Sequence, residues 1–192
     1  MPSPSKTVRS TDPPDGFRYE TDILSREEEL ELARQIRELP LKEFEFHGYL
    51  GKRRVISYGW HYDFGTYSIR ETEALPEFLN VAREKAAKFS GLSVSDLSHA
   101  LITEYRPGTT IGWHRDRAVF GDVIGMSLLS ECTFRFRRKS GSKWERHSLT
   151  LQPRSAYLLR GAARNDWEHS IPAVGATRYS ITFRSLRDGV LR

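Results

Sequence analysis

One cysteine in 192 residues, Cys132, leaves no partner for an internal disulfide and excludes a zinc site built from several thiolates. It lies in an apolar run, where a lone cysteine serves as a small core residue. Long apolar runs are also missing. No stretch approaches the roughly 20 residues that a membrane helix needs, and MPSPSKTVRS at the N-terminus holds no apolar segment of the secretory kind. A reducing, cytoplasmic setting without membrane contact is the expectation. Acidic residues are in deficit: 25 against 30 Lys and Arg leave a net charge of +5. That leans toward a polyanionic partner such as nucleic acid, although a merely basic surface explains it equally well.

What is present reads as one domain with a sizeable core and a short N-terminal extension, monomeric by expectation. Residues 1–16 are polar, carry four prolines and are expected to be a flexible arm, leaving 17–192 as the domain. SREEELELARQIREL opens with Ser25 and has Glu28 three residues on, a capping box ahead of apolar residues at 32, 36 and 39. The charged run Arg26 to Glu31 reads as that helix's solvated face. A second helix is expected in PEFLNVAREKAAKFSG, with Pro76 in the first turn, Gly91 as C-terminal cap and Phe78, Ala82, Ala86 and Phe89 as its buried stripe. A short third helix is expected near SVSDLSHA. Residues 44–64 are aromatic and glycine-punctuated, as strands and turns are. From residue 100 the segments ALITEY, VIGMSLLS, CTFRFRR, WERHSLTL, SAYLLRG and RYSITFR read as strands. The sum is an α+β chain: a sandwich or barrel with N-terminal helices packed on one side.

His114 and Asp116, in IGWHRDRAVFG, stand two apart, so a strand would put both on one face. Alone this means little, since an H-x-D arises by chance in roughly a third of chains of such composition. A non-haem Fe(II) site needs a third ligand, a second histidine, and positions left open on the metal. His169, in NDWEHSIP, is the candidate. Nine residues later Arg178 begins an alternating strand with Arg178, Ser180, Thr182 and Arg184 on one face and Tyr179, Ile181 and Phe183 on the other. The polar row either faces water or is buried around an anion, because burying arginines without a partner is costly. A dicarboxylate such as 2-oxoglutarate would satisfy it through a bidentate pair with Arg178.

Taken together, these segments resemble the AlkB-type branch of the Fe(II)/2-oxoglutarate-dependent dioxygenases. ITEYRPGTTIGWHRD resembles the strand and turn leading to the first two iron ligands. VIGMSLLSECTFRFRR resembles the central strand pair, SAYLLRGAARNDWEHSIP the segment carrying the distal histidine, and RYSITFR the closing strand. The resemblance implies a double-stranded β-helix (jelly-roll) core, with 100–187 as the catalytic core and 44–64 as a substrate lid. It implies Fe(II) on His114, Asp116 and His169, 2-oxoglutarate held by Arg178, Arg184 and Tyr105, and O₂ as the oxidant. Thr103 and Ser180 stand where the family usually has asparagines, and each keeps a hydroxyl for the co-substrate. Ala118 stands where the DNA-repair enzyme has an acidic residue close to the base.

Within the lid, GKRRVISYG is similar to a segment of the eukaryotic DNA-repair members. Arg53 and Arg54 are then candidates for phosphates and Tyr58 for a base, against the simpler reading of exposed arginines and a packed tyrosine. Trp60 and Tyr62 read as packing residues. Trp113 and Trp167 flank ligands and either shield them or pack. His47, His61, His99 and His147 read as ordinary surface or strand histidines. The activity implied is oxidative demethylation of N-alkylated nucleobases in DNA or RNA, with succinate and formaldehyde as products. A protein side chain is the alternative substrate. A non-catalytic module keeping the fold is a third reading, which a lost iron ligand would mark; all three ligands are present.

Overall fold

The computed structural model describes residues 7–9, 12–46, 49–63, 68–187 and 189. In chain order these form β1 (Thr7–Arg9), β2 (Phe17–Glu20), α1 (Arg26–Arg37), β3 (Lys42–Phe46), β4 (Tyr49–Tyr58), β5 (Trp60–Asp63), β6 (Ser68–Glu71), α2 (Asn80–Ser90), β7 (His99–Tyr105) and β8 (Ile111–His114). They continue as β9 (Phe120–Leu128), β10 (Cys132–Ser140), β11 (Lys143–Leu151), β12 (Ala156–Leu159), α3 (Gly161–Asn165), β13 (Glu168–Ile171) and β14 (Arg178–Leu186). A major sheet runs β2-β12-β9-β14-β7-β4-β3, and a minor sheet runs β1-β11-β10-β13-β8. The two sheets face each other as a jelly roll, and β5 and β6 form a separate ribbon. Among the described residues no helix is long and apolar enough to cross a membrane.

Strand β14 shows why the site forms where it does. Its odd-numbered residues Tyr179, Ile181 and Phe183 join Leu32, Ile36, Ala82, Ala86 and Phe89 of the helices in one core cluster. Both helices therefore pack on the outer face of the major sheet, as the apolar stripes require. The even-numbered residues Arg178, Ser180, Thr182 and Arg184 point the other way, and all four are buried. A second cluster, with Tyr105, Val123, Phe134, Phe136, Tyr157 and Trp167, fills the space between the sheets. The polar row thus lies inside the jelly roll, and the solvent-facing alternative is excluded.

The capping box of α1 is formed: Glu28 N donates to Ser25 Oγ at 3.2 Å and Ser25 N to Glu28 Oε2 at 2.7 Å. Gly91 ends α2 in the left-handed region at φ 73°, where a side chain would be strained. Three expectations are corrected. SVSDLSHA forms no helix but a turn, because Ser93 and Asp96 exchange side-chain–backbone hydrogen bonds that compete with helical ones. Glu29 leaves the solvated face of α1 and is buried, accepting from Leu129 N at 2.9 Å and from Arg154. Leu129 has φ 72°, and the carboxylate satisfies the amide of that tight corner. Finally, α3 is a helix not expected within SAYLLRGAARNDWEHSIP.

At the N-terminal extension, residues 7–9 pair with β11 in parallel. Pro14 is buried, and the carbonyl of Asp15 accepts from Ala163 N at 2.8 Å. The segment 44–64 supplies most of β3 and all of β4 and β5, with β4 hydrogen-bonded between β7 and the edge strand β3 of the major sheet. His47 and Phe64 lie outside the described residues.

Candidate metal and co-substrate site

Register brings the first two histidines together: His114 of β8 and His169 of β13 are direct partners, with ring centroids 4.3 Å apart. Asp116 follows on the loop after β8. Ligand atoms of His114, Asp116 and His169 all lie within 4.8 Å of one another, the spread expected of three ligands about one ion. Nδ1 of His114 is 3.0 Å from the carbonyl oxygen of Gly112. A carbonyl only accepts, so Nδ1 carries the proton and Nε2 keeps its lone pair for a metal. His169 Nε2 lies 3.5 Å from Asp116 Oδ2.

The charge states favour binding. Burial pushes the pKa of His169 down to about 3, with His114 adding to the effect. Burial likewise lowers His114, partly opposed by Asp116. Both imidazoles are therefore neutral donors near neutral pH. Burial pushes the Asp116 carboxyl up, but Arg184, His169, His114 and Arg164 together hold it well below the usual range. Arg184 grips one oxygen only, donating from Nε (2.9 Å) and Nη2 (2.7 Å) to Oδ1. Oδ2 is left facing the histidines.

The co-substrate candidates sit behind this triad on β7 and β14, where Arg178 pairs with Tyr105 and Ser180 with Thr103. All four face inward and are buried. Arg178 is 1% exposed. Its Nε donates to Ser127 Oγ at 2.9 Å, and its guanidinium lies 4.8 Å from the centre of the Tyr105 ring. Its Nη1 is the buried side-chain polar atom left without a partner among the described residues. A buried cation with an unmet donor is costly unless an anion completes it. The site therefore fits a metal held by His114, Asp116 and His169 and a carboxylate held by Arg178.

Arg184, expected near the co-substrate, clamps Asp116 with Nε and Nη2. Of the lid candidates, Arg53 alone reaches the site. It shares the inward face with Val55, which pairs with Thr103, and stacks 3.8 Å from the centre of the Phe44 ring. Burial lowers its pKa, and Tyr105, Arg184 and Asp116 all act on it electrostatically. Arg54 and Tyr58 depart from the expectation. Arg54 points outward, donating to Glu104 at 2.9 Å and to the Leu41 carbonyl. Tyr58 is 5% exposed in the core under the helices, so it offers no ring to a base. Trp113 turns its indole away from His114 toward Arg135 and Arg137, while Trp167 packs on Phe136. Ala118 is exposed.

Several site residues had no sequence signal. Arg164 of α3 donates to the carbonyls of Asp116, Arg117, Phe120 and Gly121, pinning the loop that carries the carboxylate ligand. His99, read as ordinary, is buried 3.4 Å from Arg184 Nη1 because the two are register partners. Phe134 stacks against His169 at 5.3 Å. Ser127 and Phe134 were legible only as alternating strand positions.

Two histidines and a carboxylate converging in a jelly roll suit a single non-haem iron ion, which sets the class of protein. The comparisons carry this further. The family described as "2OG-Fe(II) oxygenase superfamily" matches residues 16–184. The chain belongs to this superfamily and is of AlkB type. It is 32% identical over 147 residues to the Arabidopsis thaliana "Alkylated DNA repair protein ALKBH8 homolog", covering 64% of this chain and 42% of that protein. To the Mus musculus mitochondrial "Alpha-ketoglutarate-dependent dioxygenase alkB homolog 7" it is 30% identical over 157 residues, covering 78% and 64%. The chain thus spans less than two thirds of either relative. The solved structure of OsALKBH1 superposes with TM-score 0.65 at 16% identity, covering 92% of this chain and 99% of that one, a likeness of fold. The cofactors of the superfamily are Fe(II), 2-oxoglutarate and O₂, and the donor set fits them.

Proposed function

We propose that this chain is an Fe(II)- and 2-oxoglutarate-dependent dioxygenase that oxidatively removes N-alkyl groups from nucleobases of DNA or RNA. The observation that carries the oxygenase reading is the unmet Nη1 of Arg178, buried behind a His-Asp-His triad. Bound iron, 2-oxoglutarate and O₂ together supply the power to hydroxylate a C–H bond, and a hydroxylated N-methyl group leaves as formaldehyde. The protein's own part is positional. Arg178 binds the far carboxylate of the co-substrate, and Tyr105, Thr103 and Ser180 line its bed. Arg184 fixes Asp116 in one orientation. Phe134 and Tyr157 keep water from the inner wall.

Nucleic acid as substrate is supported by the net charge of +5, by Arg53 at the site and by similarity to the Arabidopsis alkylated DNA repair protein ALKBH8 homolog. A protein side chain is the second reading. It is favoured by the engagement of Arg54 and Tyr58 in the fold, which removes two of three proposed nucleic-acid contacts. Formaldehyde release from N-methylated oligonucleotides, compared with N-methylated proteins, separates them. Release from the oligonucleotides alone supports the first, and release from the proteins alone overturns it.

A further inference from the structure

The outer face of the minor sheet, away from the metal site, carries an alternation of arginines and indoles. Odd-numbered residues of β10 share this face with Trp144 and Arg146 of β11 and with Glu168 and Ser170 of β13. The guanidinium of Arg137 lies between two indoles, 4.6 Å from Trp113 and 4.7 Å from Trp144. Arg135 covers Trp113 from 5.0 Å. Such stacks hold the guanidinium planes and ring faces in fixed positions. Beside them runs an open groove of about 400 Å³ lined by Arg115, Arg137, Arg138, Lys139 and Trp144, with Asp166 and Glu168. Two of its four cations are already in ion pairs, Arg137 with Glu168 at 2.6 Å and Arg138 with Glu145 at 2.7 Å, which leaves Arg115 and Lys139 against Asp166 as the surplus positive charge. The groove also has a fixed relation to the chemistry. Arg115 stands between two of the candidate metal ligands, and Glu168 directly precedes the third.

We infer that this groove binds the phosphate backbone of single-stranded nucleic acid, with a base stacked at the Trp144 rim, as a track separate from the catalytic mouth. A positive groove interleaved with aromatic faces is the arrangement that suits single strands: cations follow the phosphates, and ring faces accept any base. An acidic peptide would use the cations but leave the indoles without a role. The inference goes beyond the oxygenase reading and does not need a methylated base.

The test uses the full chain loaded anaerobically with Fe(II) and 2-oxoglutarate, and a labelled, unmethylated single-stranded oligonucleotide read by anisotropy. Trp144→Ala is expected to weaken binding roughly tenfold while Trp144→Phe largely retains it. Lys139→Ala is expected to make the log-log salt dependence shallower by about 0.7. Succinate release after admission of O₂ should persist in these variants, which separates loss of the groove from loss of fold. Unchanged binding in the groove variants, with loss in Arg53→Glu, overturns the inference in favour of the mouth. Absence of oligonucleotide binding overturns it outright, and equal competition by polyglutamate overturns it in favour of an acidic protein partner. Failure of the oxygenase reading shows separately, as absent succinate release in the unaltered chain.

Discussion

At the residue scale, two inward arginines of β14 divide the labour. Arg184 spends its donors on Asp116, whereas Arg178 keeps one free inside the protein. Arg178→Ala should raise the 2-oxoglutarate requirement roughly 30-fold, the loss expected for hydrogen bonds to a charged partner, while leaving metal affinity unchanged. Titration of each ligand separately checks this; a parallel loss of metal binding would contradict it. Arg53 sets a different expectation. It faces the site from β4, so Arg53→Ala should raise KM for the methylated substrate more than KM for 2-oxoglutarate. His169 adds a pH effect in the metal-free protein. Its folded pKa, about 3, lies below that of an unfolded histidine, about 6.5. The unfolded chain therefore binds a proton that the folded chain does not, and stability falls as pH drops below about 6.5. Asp116, held below its ordinary 3.8, adds to the loss only at more acid pH. Urea midpoints at about pH 7.5 and 5.5 should show the decline, and His169→Gln should flatten it.

At the element scale, short segments are held by single side chains. Four carbonyls around the loop from Asp116 to Gly121 depend on Arg164. Arg164→Ala strands them and should cost about 3 kcal/mol, with weakened metal binding, measurable as a lower urea midpoint and a right-shifted metal titration. In the middle of β9, a Cβ on Gly125 would stand 2.2 Å from the Tyr157 ring. Much of this level was legible. The alternation of RYSITFR gave the inward and outward faces of β14, and Ser25 with Glu28 gave the start of α1. Other features were not legible, because they depend on partners remote in sequence. Arg164 acts across more than 40 residues, and Glu29 serves an amide 100 residues away. Tyr58 read as a lid residue until the pairing of β4 with β7 placed it under the helices.

For the whole molecule, the design is two sheets with different tasks. The major sheet buries its outer face under α1 and α2. Its inner face presents the polar row, to which the minor sheet adds His114 and His169 from adjacent strands. Only the folded register unites residues as distant as 103 and 184, which is why H-x-D alone said little and the full set said much. The most direct test of this account is an anaerobic Fe(II) titration followed by 2-oxoglutarate, read as visible metal-to-ligand charge transfer. The account predicts a band saturating at one equivalent of iron, absent in His169→Ala and recovered in Arg178→Ala only at far higher 2-oxoglutarate. No band in the unaltered chain, or an undiminished band in His169→Ala, would contradict it.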